Sequence, residues 1–445
     1  MQKIRVLLLA LLLGLCSWAG VLLITGQAGA EVPPPGGGTA GGPLAGQEGT
    51  LSPGSQAAGP SPGDQVTPVP SSGQAAAVPG PASQPAGPGD INAKAAILMD
   101  PQTGEILWEK NSHAHYYPAS MTKLMTMVVA MDMVAGGQAS LDEPVQVSER
   151  AESFGGSEVF LAVGETFPLE QMLIAIAVAS ANDAAVAVAE HLAGSEEAFV
   201  ALMNAKAKEL GLKDTHFANC HGLHDEQNYT SAYDMAVIAR YALKYPKIRE
   251  WTSIKRYTLR KDPLTILDTT NKMLYWYPGT DGFKTGFTDA AGLNLVSTVE
   301  RDGLRFIAVV MGVETPQGHF TESMKLYNWA FKQWTFKQFY APGQVVTTVP
   351  VGKGQTEEVK VVAAGKVGAR LSRLRGQTAS MTAKIELPGI INAPVQEGQH
   401  LGLVRVFRDS QEVDRVGLVT QQKVARASLG QEILRVIRAV FTIRQ

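Results

Sequence analysis

A proline- and glycine-rich segment, residues 31–89, most limits what this 445-residue chain can fold into. It holds 13 of the 25 prolines and 14 of the 45 glycines, and it contains no aromatic residue and no Ile, Met, Lys or Arg. Such a stretch cannot bury enough apolar surface to offset the entropy lost on ordering, so we expect a disordered linker. The linker separates a short N-terminal segment from a long C-terminal part of ordinary globular composition, which has room for two domains.

Residues 1–30 have the pattern of an export signal. Lys3 and Arg5 precede a run of uncharged, mostly apolar residues at 6–25, and Ala28-Gly29-Ala30 offers a cleavage site between small residues. Because the apolar run is long enough to cross a bilayer, an uncleaved membrane anchor is the alternative. In both cases the sequence predicts that everything after this segment lies outside the cytoplasm.

Charge and cysteine content narrow the class of protein further. The chain has 39 Lys and Arg against 41 Asp and Glu, a formal charge of −2, and it has no basic block outside its two ends. This argues against a nucleic-acid-binding protein, which needs a concentrated basic footprint. Cys220 is the only cysteine after residue 30, so the exported part can form no internal disulfide and must be stabilised by its cores.

Residues 90–340 show mixed helix and strand patterns. Two hairpins are expected, one from residues 95–99 and 106–108 and one from residues 294–300 and 305–311. Helical periodicity is expected in residues 119–133, 171–192, 230–243 and 320–339. The second of these regions is interrupted by Ser180-Ala181-Asn182-Asp183. Strands, then helices, then strands and a helix indicate an α+β or α/β body with one sheet.

The pattern changes after residue 340. Short Val-, Thr- and Ile-rich runs broken by Gly and Pro predict a small all-β domain over residues 341–425, with strands near 359–362, 381–387, 403–407 and 415–418. Residues 426–445 return to a helical period. One face of that helix carries Leu429, Ile433, Val436, Val440 and Ile443, and the opposite face carries Gln431, Arg435, Arg438 and Thr442. We expect it to bind the anionic membrane surface, and packing on the β domain is the alternative.

Three short motifs carry the chemistry of the chain. Ser120-Met121-Thr122-Lys123 opens the first predicted helix, Ser180-Ala181-Asn182 interrupts the second, and Lys284-Thr285-Gly286 precedes the second hairpin. Each motif alone is a weak signal, and S-x-x-K alone fits a serine that merely caps a helix. All three in this order are a strong signal.

The first motif has the residue types of a nucleophile and its base. A serine hydroxyl is a poor nucleophile until a neighbouring base takes its proton. Ser120 and Lys123 are three residues apart on a helix, so their side chains project from one face. A lysine acts as a base only when neutral, which requires burial and a nearby positive charge such as Lys284. Amide groups at the helix N-terminus would favour a developing oxyanion.

The motifs and their flanks resemble the serine-type D-Ala-D-Ala carboxypeptidases, the low-molecular-weight penicillin-binding proteins. The resemblance rests on residues 117–123, 180–183 and 281–286 and covers about residues 90–445. It implies an α+β fold of the β-lactamase/DD-peptidase type, an antiparallel sheet with helices, followed by a small all-β domain and a C-terminal amphipathic helix. It also implies a bacterial enzyme without cofactor or metal that acts on peptidoglycan stem pentapeptides and is inhibited by β-lactams.

The resemblance assigns a role to each motif residue. Ser120 would be acylated by the penultimate D-Ala, which releases the terminal D-Ala, and water would then deacylate it. Lys123 would be the general base, Ser180 would pass the proton to the leaving amine, and Asn182 would hold the substrate amide. The remaining expected substrate contacts are Lys284, Thr285 and Gly286, the backbone N–H groups of Ser120 and Phe287 as the oxyanion hole, and His319. In this sequence His319 stands where well-known relatives have an arginine that binds the terminal carboxylate.

Other functions fit less well. A class A β-lactamase needs a glutamate in an E-x-x-x-N pattern between the second and third motifs, and this sequence has none there. A non-catalytic wall-binding protein would not need all the motif side chains. A DD-endopeptidase that cuts cross-links remains a close alternative. Cys220-His221-Gly222-Leu223-His224-Asp225 could suggest a metal site, but no second ligand cluster accompanies it, so we expect a structural loop.

Overall fold

The computed structural model of this protein describes residues 87–373 and 380–442. The predicted export signal and residues 31–86 of the predicted linker lie outside the described residues, as do the last three residues of the predicted C-terminal helix.

The elements alternate along the chain between strands and helices. The strands before residue 320 are β1 (Ala95–Met99), β2 (Ile106–Lys110), β3 (Pro144–Gln146), β4 (Thr166–Pro168), β5 (Arg256–Lys261), β6 (Leu264–Asp268), β7 (Thr280–Thr288), β8 (Gly292–Arg301) and β9 (Leu304–Val313). The helices of the same part are α1 (Thr122–Ala135), α2 (Glu149–Glu152), α3 (Leu169–Ala179), α4 (Asn182–Ala193), α5 (Glu196–Glu209), α6 (Ala232–Ala242), α7 (Pro246–Thr252), α8 (Met273–Trp276) and α9 (Gly318–Gln333). The remaining elements are β10 (Trp334–Tyr340), β11 (Val345–Gly352), β12 (Glu358–Ala363), β13 (Val367–Ser372), β14 (Met381–Glu386), β15 (Ile391–Asn392), β16 (His400–Arg408), β17 (Gln411–Thr420) and α10 (Leu429–Thr442).

A five-stranded antiparallel sheet forms the centre of the body, in the order β2-β1-β9-β8-β7. Both predicted hairpins are present, as β1–β2 and β8–β9. Successive residues of a strand point to opposite faces, so Ile97 lies in the core on the face where α6 packs on β1 and β9, whereas Leu98 packs with Phe320 and Tyr327 of α9. Because both faces are covered, β9 is a continuous apolar run rather than an alternating one.

The interruption of the second apolar region divides it into two helices. Ser180 has a left-handed backbone conformation with a φ of 63°, which ends α3, and α4 begins two residues later at Asn182. The apolar side chains of both helices are buried in the same core as α1. The sequence pattern therefore predicted the break, and the interruption places three polar side chains, Ser180, Asn182 and Asp183, in an otherwise apolar region.

The predicted helix 320–339 was wrong in its last six residues. Helix α9 ends at Gln333, and the next seven residues form β10, which pairs antiparallel with β13. Trp334 begins this strand and is buried in the core that α9 shares with the sheet. Pairing with a strand more than twenty residues later overrides the local helical pattern, because the ladder and the buried aromatic ring both favour the extended backbone.

A six-stranded sheet follows, in the order β14-β16-β17-β12-β11-β15. All four predicted strands of the all-β domain are present as β12, β14, β16 and β17, and their valines form a separate core. Arg370 of β13 connects this domain to the body. Its Nε lies 2.8 Å from Asp100 Oδ2 and its Nη2 lies 2.6 Å from Glu105 Oε2. The interface between the two parts therefore contains a buried ion pair.

Helix α10 follows the β domain and exposes four apolar side chains to solvent. The exposed side chains are those of Leu429, Ile433, Leu434 and Ile437. Arg435 instead faces the β domain, where its Nη2 donates a hydrogen bond to the carbonyl oxygen of Gly354 at 2.8 Å. Among the described helices, none is both long enough and apolar enough to span a bilayer.

Candidate active site

Ser120 lies on a short 3₁₀ turn, Ala119–Met121, that leads directly into α1. The residue before it, Ala119, has a left-handed backbone with a φ of 48°. Asn294 of β8 fixes this turn from the sheet: its Nδ2 donates to the carbonyl oxygen of Tyr117 at 3.0 Å, and its Oδ1 accepts from the amide of Gly312 at 2.7 Å. The nucleophile candidate is therefore held by both α1 and the central sheet.

Lys123 is fully buried one turn further along. Its Nζ lies 3.1 Å from Ser120 Oγ, 2.6 Å from Asn182 Oδ1 and 2.5 Å from the carbonyl oxygen of His221. Burial lowers the pKa of Lys123 from 10.5 to about 7, against the opposing attraction of Cys220 and Asp183. This shift favours the neutral amine, which is the form that can accept a proton.

The second motif faces the first across the break between α3 and α4. Ser180 Oγ accepts a hydrogen bond from Lys284 Nζ at 2.8 Å. The amide of Asn182 is oriented without ambiguity, because its Nδ2 donates to the carbonyl oxygen of Gly155 at 2.7 Å and its Oδ1 must then accept from Lys123. This arrangement connects the three motifs through two lysines.

The third motif lies on the edge strand β7. Lys284 is buried, and burial together with the positive charge of Lys123 lowers its pKa well below the usual range. Thr285 Oγ1 donates to Thr270 Oγ1 at 2.8 Å. Gly286 packs against the nucleophile turn so closely that a Cβ there would lie 2.7 Å from the carbonyl oxygen of Pro118. Only glycine allows the strand to approach Ser120 at this distance.

Two further predicted residues have less direct support. The side chain of Phe287 is exposed, so a role in the site would fall to its backbone. His319 is buried at the start of α9, its ring packs at a tilt against the ring of Phe320, and its Nδ1 has no hydrogen-bond partner in the described part of the chain. Burial lowers the pKa of His319 to about 4, so in the free protein the imidazole is neutral at pH 7.

Sequence reasoning missed several residues of the site. They are Asn294, Thr270, His221, Glu196 and Arg150, and they contact motif residues or lie directly behind them. No spacing rule identifies them, because each reaches the site from a different element. In residues 87–373 and 380–442, no group of His, Cys, Asp and Glu side chains has the geometry to hold a metal ion, the 220–225 loop included.

Comparison with known proteins agrees with this geometry. Residues 81–315 match the family model described as D-alanyl-D-alanine carboxypeptidase, and residues 334–426 match the C-terminal domain of penicillin-binding protein 5. The D-alanyl-D-alanine carboxypeptidase DacF of Bacillus subtilis is 38% identical over 337 residues, which is 75% of this chain and 86% of the relative. DacA of Escherichia coli is 32% identical over 80% of this chain and 89% of its own length. The crystal structure of penicillin-binding protein 5 from Haemophilus influenzae superposes with a TM-score of 0.56 at 31% identity, over 76% of this chain and 98% of that one.

Proposed function

Since the chain belongs to the D-alanyl-D-alanine carboxypeptidase family, we propose that Ser120 is its nucleophile and Lys123 the base that activates it. The protein is a serine-type carboxypeptidase that removes the terminal D-Ala from peptidoglycan stem peptides, acts outside the cytoplasm and binds β-lactams. The residue roles within that reaction are the proposal.

One observation carries the assignment of the base, namely the set of three neighbours around Lys123 Nζ. A neutral amine has two N–H bonds and one lone pair. Asn182 Oδ1 and the carbonyl oxygen of His221 can only accept hydrogen bonds, so they take the two N–H bonds. The lone pair then points at the third neighbour, Ser120 Oγ, at 3.1 Å, and can accept its proton as the oxygen attacks the substrate carbonyl.

The leaving group needs a proton from the opposite side of the site. Ser180 can donate one, because its hydroxyl accepts from Lys284 Nζ and its own O–H remains available to the departing D-Ala amine. The proton that Ser180 gives up is balanced by the proton that Lys123 takes from Ser120, so acylation neither gains nor loses a proton overall. The backbone N–H groups of Ser120 and Phe287 are proposed to stabilise the oxyanion of the tetrahedral intermediate.

The terminal carboxylate of the substrate is proposed to bind Lys284 and Thr285. An anion at this position favours the charged form of Lys284 and so opposes the effect of burial on its pKa. His319 remains a predicted contributor. With a pKa of about 4 in the free protein, it would meet the carboxylate at pH 7 as a neutral hydrogen-bond donor rather than as a cation.

The test of this function uses two readouts on the same variants. Fluorescent penicillin should label the wild-type protein, and D-Ala should be released from a synthetic acyl-D-Ala-D-Ala peptide. Ser120→Ala should lose both without loss of the folded circular-dichroism spectrum. A variant of the exposed Ser153, Ser153→Ala, is the matched control and should keep both. Labelling that persists in Ser120→Ala would contradict the assignment of the nucleophile.

The C-terminal helix is proposed to hold the enzyme at the outer face of the membrane. Support comes from α10, which exposes Leu429, Ile433, Leu434 and Ile437, while Arg435 donates a hydrogen bond to the β domain. The alternative, a helix packed on the β domain through its apolar face, would bury these side chains.

Vesicle binding tests the membrane proposal. Two proteins that both begin at residue 87 are compared, one ending at residue 427 and one at residue 445, with vesicles that contain anionic lipid. We expect only the longer protein to bind, and salt should weaken its binding because part of the attraction is electrostatic. Replacing Ile433 and Ile437 by Glu should abolish binding. Equal behaviour of the two proteins would favour the packed helix.

A further inference from the structure

A buried pair of polar side chains lies directly behind Lys123 and belongs to none of the three motifs. His221 and Glu196 are both buried, and groups of this kind are rarely buried unless they are paired. His221 Nε2 lies 3.2 Å from Glu196 Oε1, and Arg150 Nη2 donates to Glu196 Oε2 at 2.7 Å. His221 lies in the segment that the sequence predicted to be a structural loop, so the position of that loop bears on the site.

The hydrogen bonds of His221 define its tautomer. The amide of Leu223 donates to Nδ1 at 3.1 Å, so Nδ1 is the acceptor and the ring proton is on Nε2, where it is donated to Glu196. Burial lowers the pKa of His221, against the opposing pull of Glu196, so the ring is neutral at pH 7. Burial alone would raise the pKa of Glu196, but the bonds from His221 and Arg150 lower it to about 2.

The groups that face this pair are few. Lys123 and Arg150 supply positive charge, the thiol of Cys220 is protonated because burial raises its pKa, and the ring of Phe154 packs on the imidazole with centroids 4.8 Å apart. Only Glu196 supplies negative charge to His221 in this set. Glu196 is therefore a charged carboxylate, and it orients the neutral ring of His221.

Glu196 also holds the backbone on which the imidazole sits. Its Oε1 accepts from the amide of Cys220 at 3.2 Å, and Thr126 Oγ1 donates to the carbonyl oxygen of the same residue at 2.6 Å. The next carbonyl oxygen along the chain is that of His221, which accepts from Lys123 Nζ. The Glu196 carboxylate thus fixes both the imidazole ring of His221 and the amide of Cys220. The carbonyl oxygen of His221 is the group that contacts Lys123, the proposed base.

We propose that Glu196 and His221 are positioning residues for acylation: together they hold the His221 carbonyl oxygen on Lys123 Nζ, so that the lysine lone pair points at Ser120. The inference rests on the proposed role of Lys123 as the base. Neither side chain touches the substrate. If the carbonyl moves away, the amine can rotate, and its lone pair is no longer fixed on the hydroxyl even though Ser120, Lys123 and the substrate contacts are intact.

Single-turnover acylation of the full chain by a chromogenic cephalosporin separates this role from a general loss of structure. The acylation rate constant at saturation reports alignment, and the half-saturating concentration reports the β-lactam contacts. Glu196→Leu and His221→Ala should each lower the rate constant on the order of tenfold to a hundredfold, as expected for residues that orient a reactive group. The half-saturating concentration should change less than about twofold, since neither residue contacts the ligand.

Three further variants sharpen the test. Glu196→Gln keeps an acceptor for His221 and should retain most of the rate. Glu197→Leu is the matched control, because Glu197 is the exposed neighbour on α5 and also contacts Arg150, and it should behave as wild type. The double variant Glu196→Leu with His221→Ala should be no slower than the slower single variant, because both act through one carbonyl.

The outcomes separate this inference from the proposed function. Wild-type acylation rate constants in both Glu196→Leu and His221→Ala would overturn the positioning role. A loss of acylation efficiency that comes entirely from a higher half-saturating concentration would overturn it too. If Glu196→Leu fails to fold, His221→Ala and Glu196→Gln decide alone. A wild-type protein that is not acylated, or acylation that survives Ser120→Ala, would instead overturn the proposed function.

Discussion

At the scale of single residues, the proposed role of Lys123 as the base makes the acylation rate depend on its protonation state. Burial lowers its pKa to about 7, and only the neutral amine can take the proton of Ser120. As pH falls through about 7 the amine becomes protonated, so the acylation rate constant should fall about tenfold per pH unit below that value and level off above it. The measurement is the pH dependence of acylation by a β-lactam between pH 5.5 and 8.5.

Lys123→Arg is the control for this pH dependence. A guanidinium stays charged at all these pH values, so the variant keeps the positive charge but has no base. It should acylate more than about a hundredfold more slowly than wild type at pH 8, without the rise through pH 7. A wild-type rate that does not change between pH 5.5 and 8.5 would contradict Lys123 as the base.

At the scale of elements, the site depends on how closely β7 approaches the nucleophile turn. A Cβ on Gly286 would lie 2.7 Å from the carbonyl oxygen of Pro118 and 3.1 Å from the amide of Met121. Gly286→Ala should therefore push the strand away from Ser120 and lower acylation on the order of a hundredfold, since a displacement of about 1 Å is enough for such a loss. The effect should appear in acylation kinetics much more than in thermal stability.

Gly389→Ala is the matched control for that prediction. A Cβ at Gly389 meets no atom within 4 Å, and the residue does not have a positive φ. This variant should acylate at the wild-type rate. If Gly286→Ala does so too, the close approach of β7 is not required for the reaction.

At the scale of the whole molecule, Arg370 ties the β domain to the body through a buried bond to Asp100. Arg370→Met leaves the Asp100 carboxylate buried without its partner, so we expect the free energy of unfolding to fall by about 3–5 kcal/mol. The second variant, Arg370→Met with Asp100→Leu, removes both charges and should recover much of that loss. Chemical denaturation of the two variants and the wild type measures the difference.

An exposed ion pair provides the comparison for Arg370. Arg256 and Asp268 lie 2.7 Å apart on the β5–β6 hairpin, but their side chains are 67% and 52% exposed. Arg256→Met should therefore lower the free energy of unfolding far less than Arg370→Met does, because solvent screens the exposed pair. If Arg256→Met and Arg370→Met lower the free energy of unfolding equally, burial of the Arg370–Asp100 pair does not matter to stability.

The sequence by itself determined the parts of this protein that have a local pattern. Two apolar runs around a turn predicted each hairpin. A polar break in an apolar run predicted where α3 ends and α4 begins. The three motifs could be found and ordered because each consists of adjacent or near-adjacent residues. Ser120 and Lys123 need only the geometry of one helical turn to lie side by side.

Only the tertiary structure decided what surrounds those residues. Lys123 meets Asn182 and His221 across 59 and 98 residues of sequence, and Glu196 reaches the same loop from α5. The strand β10 replaced a predicted helix because β13 pairs with it. Burial, which lowers the pKa of Lys123 and of His319, likewise follows from the packing of several elements at once. Periodicity reports which face of an element is apolar, but contacts between distant elements depend on how those faces pack together.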